Sequence, residues 1–458
     1  MAITKSPGFT PTERMLADLC DQTFLRLWSY PNPCKDDGHE LCDLLAVFDR
    51  HLFVFFDREG RHFQNTTRDP LLNWARWKRE VIERQVKSAR GAERYLRSGR
   101  NIFLDSARQV PFPINLPTDQ MIVHKIVVAH GANEACKDFS PDNVYGSLAV
   151  GYGNASGAQA FPFMVHLEKE DPVHVLDSHN LPIILSELDT FADLVLYLTA
   201  KLEAIDELDH LLYCGEEDLL AHYFGNFDTS EKRHFIGMTD RDFTGVIIGE
   251  GEWKDFIERQ EYKNKKHADE SSYLWDQIIQ RTCQNALDGT LIGNANLLRG
   301  RSAVHEMARE PRFSRRALAD GMIRAIRDFP ETHGRMVRQV NLMPSFKEAK
   351  AYVFLQLKCE DITDYDGTYR PMRQTLLEVA CGAAKNKYPH LNTIVGIAID
   401  APKFVRKNAE DFILMDCHEW PEERRAHYER ANRGLEFFNS PSLETRIVTV
   451  KNFPTGSM

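Results

Sequence analysis

Two apolar runs separated by only two polar residues, Asp43-Leu-Leu-Ala-Val-Phe48 and His51-Leu-Phe-Val-Phe-Phe-Asp57, leave little choice of local structure. A break as short as Asp49-Arg50 joins antiparallel strands and little else, so the pattern predicts a hairpin of 43–48 with 51–57. Neither run alternates. Both are nearly continuous in hydrophobicity, as strands covered on two faces are. Acids stand at the outer ends, Asp43 at the start and Asp57-Arg58-Glu59 at the finish. Successive side chains point to opposite faces, so Asp57 and Glu59 share one face, and antiparallel pairing brings Asp43 near Asp57. Carboxylates gathered at one sheet end repel one another and are costly to keep charged in apolar surroundings. A hard divalent cation, Mg²⁺ or Mn²⁺, removes that cost, since such ions are held by one or two carboxylates together with phosphate oxygens.

The flanking segments read as helices. Thr10-Pro11-Thr12-Glu13 has the form of a helix start, and apolar residues at helical spacing carry the helix toward Tyr30. After Asp69-Pro70 a helix over 71–97 is predicted, with Trp74, Trp77, Val81 and Ile82 on one side and most of the arginines on the other. The opening unit therefore reads α-β-β-α. The Pro-rich segment 109–119 marks a boundary, which divides the chain into 1–112, a middle α/β region 113–290 and a C-terminal α/β region 291–458. In the middle region 161–177 reads as a hairpin, and in the last third 351–357, 393–400 and 411–416 read as strands. The fold class is α/β throughout, and no repeat at a fixed period is visible.

The net charge of -10 conceals an uneven distribution. Residues 58–108 hold 13 Lys and Arg against 6 Asp and Glu, and 299–338 holds ten Arg against five acids. Such segments suit either solvated helix faces or phosphate contacts. Nine cysteines without a CxxC pair fit reduced thiols, and argue against a zinc ribbon or a disulfide framework. No apolar run reaches the roughly 18 residues of a membrane span, so a soluble cytoplasmic protein with no membrane partner is expected.

The lead-in "G-x-E-x-x-D" (38–43), the apolar hairpin, the acidic second strand end and the following helix resemble the PD-(D/E)XK restriction-endonuclease-like nucleases over residues 10–105. The resemblance implies an N-terminal restriction-endonuclease-like domain and Mg²⁺-dependent hydrolysis of phosphodiesters, of DNA before RNA. It implies that Asp43 and Asp57 hold metal, with Glu13 a further ligand from the first helix. The family's lysine falls at position 59, where this sequence has Glu59. Glu59 then binds metal or orients water, or the lysine's work passes to Lys78 in the next helix, with Lys87 as a weaker candidate. Arg76, Arg79, Arg84 and Lys87 are the expected phosphate contacts, which give affinity without sequence preference. The alternatives are a degenerate relative that binds nucleic acid or protein without cleaving, and acids that are merely structural. The wider chain, through "ELCDLL", "GAERYL" and "IVGIAID…EDFILMD", also resembles a set of uncharacterised bacterial proteins. Residues 120–458 are expected to regulate, recognise or assemble, as a partner-protein or homo-oligomer surface, and a restrained effector of antiviral defence is one such arrangement.

Three further clusters invite a chemical reading and fit a plain one better. His174, Asp177 and His179 match no standard zinc spacing. Asp416-Cys417-His418 places neighbours on opposite faces, which no nucleophile–base pair tolerates. Gln356-Leu357-Lys358 with Asp400 has the outline of a second, decayed nuclease-like unit.

Overall fold

In the computed structural model the two apolar runs pair as an antiparallel hairpin at the heart of a five-stranded sheet. Its order is β1 (Ser29–Pro31), β2 (Leu44–Phe48), β3 (His51–Glu59), β4 (Ile122–His130) and β5 (His174–Asp177). Asp49 makes the turn at φ 52°, a left-handed conformation that a short polar side chain tolerates. β1, β2 and β3 run antiparallel, whereas β4 and β5 are parallel to β3. Described are residues 3–64, 67–117, 120–140, 142–153, 161–238, 244–288, 302–331, 336–360, 362–404, 409–439 and 443–454.

The continuous hydrophobicity of the hairpin follows from its two covers. Leu52, Val54 and Phe56 join Leu45 and Val47 on the face that packs against Ala89, Ala92 and Leu96 of a long helix. Phe53 and Phe55 point the other way, toward Phe24, with ring centroids 4.8 and 6.2 Å away, and Phe53 also meets Phe191. Each such side chain contributes about 1.5–3 kcal/mol by leaving water, so the alternation fixes register as well as stability. The first helix, α1, covers Pro11–Thr23; Thr10 caps it by accepting from the Glu13 N–H, and Pro11 occupies the first turn. It stops seven residues before Tyr30, which belongs to β1. The helix expected over 71–97 runs from α2 (Pro70–Trp77) through a π-helical turn, Lys78–Glu83, into α3 (Arg84–Arg97). It is the crossover that parallel β3 and β4 require.

That crossover corrects the expected boundary at residue 112. The Pro-rich segment is a loop inside one sheet, because β4 lies beside β3 along its whole length. The chain divides instead into two units, Met1–Lys263 and Asn264–Met458. The other expected boundary, at 290, lies outside the described residues. The hairpin expected at 161–177 is also overturned. Met164–Leu167 pairs with Ala149–Gly153 in a second sheet of four strands, while His174–Asp177 pairs with β4.

The second unit contains a four-stranded sheet, β6 (Met336–Pro344), β7 (Lys350–Cys359), β8 (Thr393–Asp400) and β9 (Asp411–Asp416). β6 and β7 form an antiparallel hairpin, a helix (Arg370–Lys387) follows, and β8 returns parallel to β7. This is the order of β2, β3, the long helix and β4, so one hairpin–helix–strand framework occurs twice. Sequence periodicity conceals it, since the common part is little more than Phe53-Val-Phe55 beside Tyr352-Val-Phe354. The Arg-rich stretch 299–338 is partly internal: Arg312 and Arg315 both pair with Asp276, Arg316 pairs with Asp269, and all three arginines are buried. All nine cysteines are free. Among the described residues no helix is long and apolar enough to cross a membrane.

Candidate acidic cleft at the carboxyl ends of the parallel strands

β3, β4 and β5 end on the same edge because they are parallel, and that edge is where open α/β sheets gather ligands. Asp57 lies near the end of β3, His130 ends β4, and Ser178 follows β5. The first turn of α1 lies beside them: Thr12 Oγ1 donates to Asp57 Oδ1 over 2.5 Å.

Asp43 sits one residue beyond the last hairpin pair, Leu44 with Phe55. Its side chain takes over where the ladder stops, and Oδ2 accepts from the Asp57 backbone N–H at 2.7 Å. The two acids are thus joined through one residue's amide. The Asp57 carboxylate is itself buried, with Oδ2 2.8 Å from His130 Nε2. His130 Nδ1 lies 2.8 Å from Ser178 Oγ on its far side. The His130 carbonyl accepts from Gly60 N–H and from Trp77 Nε1–H, which fixes the end of β4. Glu13 and Glu40 share one bridging amide: Asn32 Nδ2 donates to Glu13 Oε2 at 3.1 Å and to Glu40 Oε1 at 2.7 Å.

Thr12, Glu13, Glu40, Asp43 and Asp57 open on a cleft of about 700 Å³. Six acids line it (Glu13, Glu40, Asp43, Asp57, Glu59 and Glu80), and Arg58, Arg61, His62 and Arg68 face them. Loss of water raises the Asp43 carboxyl to about 8, the Asp57 N–H opposes that rise, and Glu40, Glu13 and Asp57 add to it. Glu40 is raised as well, by desolvation first and by Glu13 in addition. A carboxyl held this way is short of a positive neighbour.

The expected site residues fall into three groups. Asp43 and Asp57 come together. Glu13 and Glu59 line the cleft with other duties: Glu13 Oε2 also accepts from Phe9 N–H, a helix-capping contact, and Glu59 is half-exposed with Arg61 at 3.4 Å. Lys78, Arg76, Arg79, Arg84 and Lys87 do not line the cleft. Lys78 is near enough to His166 to help lower it, after desolvation, while Arg76, Arg79, Arg84 and Lys87 are exposed along the helix. Thr12 and Arg68 line the cleft, while His130 and Asn32 stand behind it against Asp57, Glu13 and Glu40, and sequence reasoning singled out none of the four. The signal for His130 was weak, a histidine closing the apolar strand 122–130.

The donor set is oxygen alone, which suits a hard cation. Among the described residues no three His, Cys, Asp or Glu side chains converge on a single point. Asp43 and Asp57 are the two carboxylates that the Asp57 amide joins, and both line the cleft. Each Asp57 oxygen accepts one hydrogen bond and retains capacity for another donor.

The other clusters have structural explanations. Asp177 accepts from the backbone of Leu148, His179 and Asn180 and thereby shapes the turn after β5. His418 and Asp416 are an exposed pair, while Cys417 is buried. In the second unit Arg373 bridges Asp400 and Asp411 out of solvent, and Lys358 pairs with Glu360. Comparison of the chain with protein-family models, with curated proteins and with solved structures gives no match.

Proposed function

We propose that the cleft binds a nucleic-acid phosphodiester and hydrolyses it with a divalent cation, DNA being the preferred substrate over RNA. The observation that carries this reading is the junction of Asp43 and Asp57 through the Asp57 amide, at the mouth of a cleft that also presents Arg58, Arg61 and Arg68. Asp43 and Asp57 would hold the cation, and the arginines would bind the phosphates on either side of the scissile bond. When bound, the cation supplies Lewis-acid stabilisation and a water of lowered pKa. The order of helix, antiparallel strands, crossover helix and parallel strand supports the resemblance to restriction-endonuclease-like proteins.

A role in binding alone is the second reading, and one observation favours it. Among the described residues that line the cleft none is a lysine, and Glu59 stands where the resemblance puts one. Purified protein incubated with plasmid, single-stranded DNA and RNA, in Mg²⁺, Mn²⁺ or chelator, separates the two. Hydrolysis predicts divalent-dependent cleavage that Asp57→Asn reduces by at least about 100-fold. Retention of the oligonucleotide without cleavage in either metal establishes the binding role instead.

A further inference from the structure

The Asp57 carboxylate is held from behind by a group that belongs to no expected ligand set. His130 Nε2 lies 2.8 Å from Asp57 Oδ2, and its Nδ1 lies 2.8 Å from Ser178 Oγ. The three residues come from three neighbouring parallel strands or the turn after them, so the sheet itself aligns the chain. His130 is 4% exposed, and Trp77 and Gly60 anchor its carbonyl. An imidazole so enclosed has little freedom to turn away.

We infer that His130, steadied by Ser178, positions the Asp57 carboxylate for the cation and phosphate proposed for this cleft. The inference rests on that reading of the cleft. With Asp57 as a carboxylate only Nε2 has a proton to share, so Nε2–H donates to Oδ2 and, in the neutral ring, Nδ1 accepts from the Ser178 hydroxyl. Thr12 Oγ1–H holds the other oxygen. Two donors on two oxygens fix the carboxylate plane, and each oxygen keeps capacity for a further partner in the cleft that Asp57 lines. This is the work that outer partners do for ligands elsewhere: they set orientation, and their loss typically costs about 10–100-fold in metal affinity or activity.

The competing reading of the same geometry is a serine nucleophile served by His130 and Asp57. Two features oppose it. The N–H groups of His179 and Asn180, which follow Ser178 and would stabilise an oxyanion, already donate to Asp177. The cleft lies on the Asp57 side of the imidazole, with neither Ser178 nor His130 in its lining.

The test is Mn²⁺ affinity by calorimetry, with steady-state cleavage, for the full chain and for Asp57→Asn, His130→Leu, His130→Gln and Ser178→Ala, each with its melting temperature. His130→Leu should weaken Mn²⁺ about 10–100-fold and lower kcat with KM for DNA little changed. His130→Gln keeps an N–H for Oδ2 and should recover most of the loss, which a purely structural role would not produce. Ser178→Ala should fall between, by a few-fold. Loss of Mn²⁺ binding in Asp57→Asn with none in His130→Leu overturns the positioning role and leaves the cleft's role intact. Absence of Mn²⁺ binding by the unaltered protein overturns both. Covalent labelling of Ser178 by a fluorophosphonate also overturns positioning, in favour of the nucleophile.

Discussion

The backbone N–H of Asp57 donates to the side chain of Asp43 across 2.7 Å, so the acid that ends one strand is secured by the strand beside it. Asp43→Asn keeps an oxygen for that N–H and removes a carboxyl that burial and three neighbouring acids destabilise when charged. The sign is clear. An acid raised to about 8 in the fold and near 3.9 in the unfolded chain opposes folding increasingly as pH rises between those values. At pH 8 the variant should melt higher, by about 2–4 °C for each kcal/mol relieved, while losing divalent-dependent cleavage. Calorimetric scans at pH 5 and pH 8 check this, and an equal shift at both would show that the carboxyl charge is not responsible.

Three imidazoles cross the five-stranded sheet: His51 Nδ1 lies 3.0 Å from His124 Nε2, and the His124 and His174 rings are 6.2 Å apart. Burial holds His124 down to about 3, helped by His51 and Lys125. His174 is lowered for the same first reason, with Lys201, His124 and Lys125 adding to it. Unfolded histidine takes up protons below about 6.5, whereas His124 stays neutral down to about 3, so stability is lost as pH falls through that window, and the lowered His174 acts in the same direction. Denaturant midpoints at pH 7, 6 and 5 should fall for the native sequence, and His124→Phe should flatten the trend.

Lys201 Nζ donates to both oxygens of Glu216 at 2.7 Å, and neither residue is exposed beyond 1%. Lys201→Met leaves the Glu216 side chain enclosed without its cation, with Tyr197 O–H still donating to it. A loss of about 3–5 kcal/mol is expected, and replacement of both residues by apolar ones of similar size should recover much of it. Urea unfolding of the two single variants and the double variant measures the coupling. Additive losses would show that the pair acts through packing alone.

Replacing Arg58, Arg61 and Arg68 by Ala should lower affinity for unrelated oligonucleotides about equally and reduce the salt slope by about 0.9 per lost contact on duplex DNA. Arg76, Arg79 and Arg84 are exposed outside the cleft, so their replacement by Glu should act on affinity with little change in kcat. Lys78→Ala should leave the rate within a few-fold of the parent, against the catalytic role that the sequence suggested. Filter binding across a salt series, with single-turnover cleavage, gives both quantities. A rate collapse in Lys78→Ala would return that lysine to the chemistry.

The acids were legible because a hairpin is a local object. Asp43 and Asp57 lie 14 residues apart, and strand period together with a two-residue turn is enough to bring them together. His130 was not legible. It reaches Asp57 across 73 residues of chain, through a crossover helix whose return strand and π-helical turn the apolar pattern does not place. The same limit misplaced 164–167 and 174–177, which read as one hairpin and belong to two sheets. Glu13 shows a different ambiguity: Thr-x-x-Glu is a helix-capping signature and also an acid beside the strand ends, and both descriptions hold.

The doubled hairpin–helix–strand framework gives the molecule an internal control. Aligned through Phe53-Val-Phe55 and Tyr352-Val-Phe354, Asp57 falls on Gln356, Glu59 on Lys358, and the partner strand offers Val340 where the first unit has Asp43. Gln356 is wholly enclosed and its Nε2 donates to the Ala325 carbonyl while Oε1 is buried without a donor, so this architecture accepts a neutral side chain at that place. Nothing in the scaffold calls for a carboxylate there. Transplanting the uncharged residues, Asp43→Val with Asp57→Gln, would make the first framework resemble its twin. The difference in melting temperature between the two forms would then state how much order the chain forgoes for the sake of its acids.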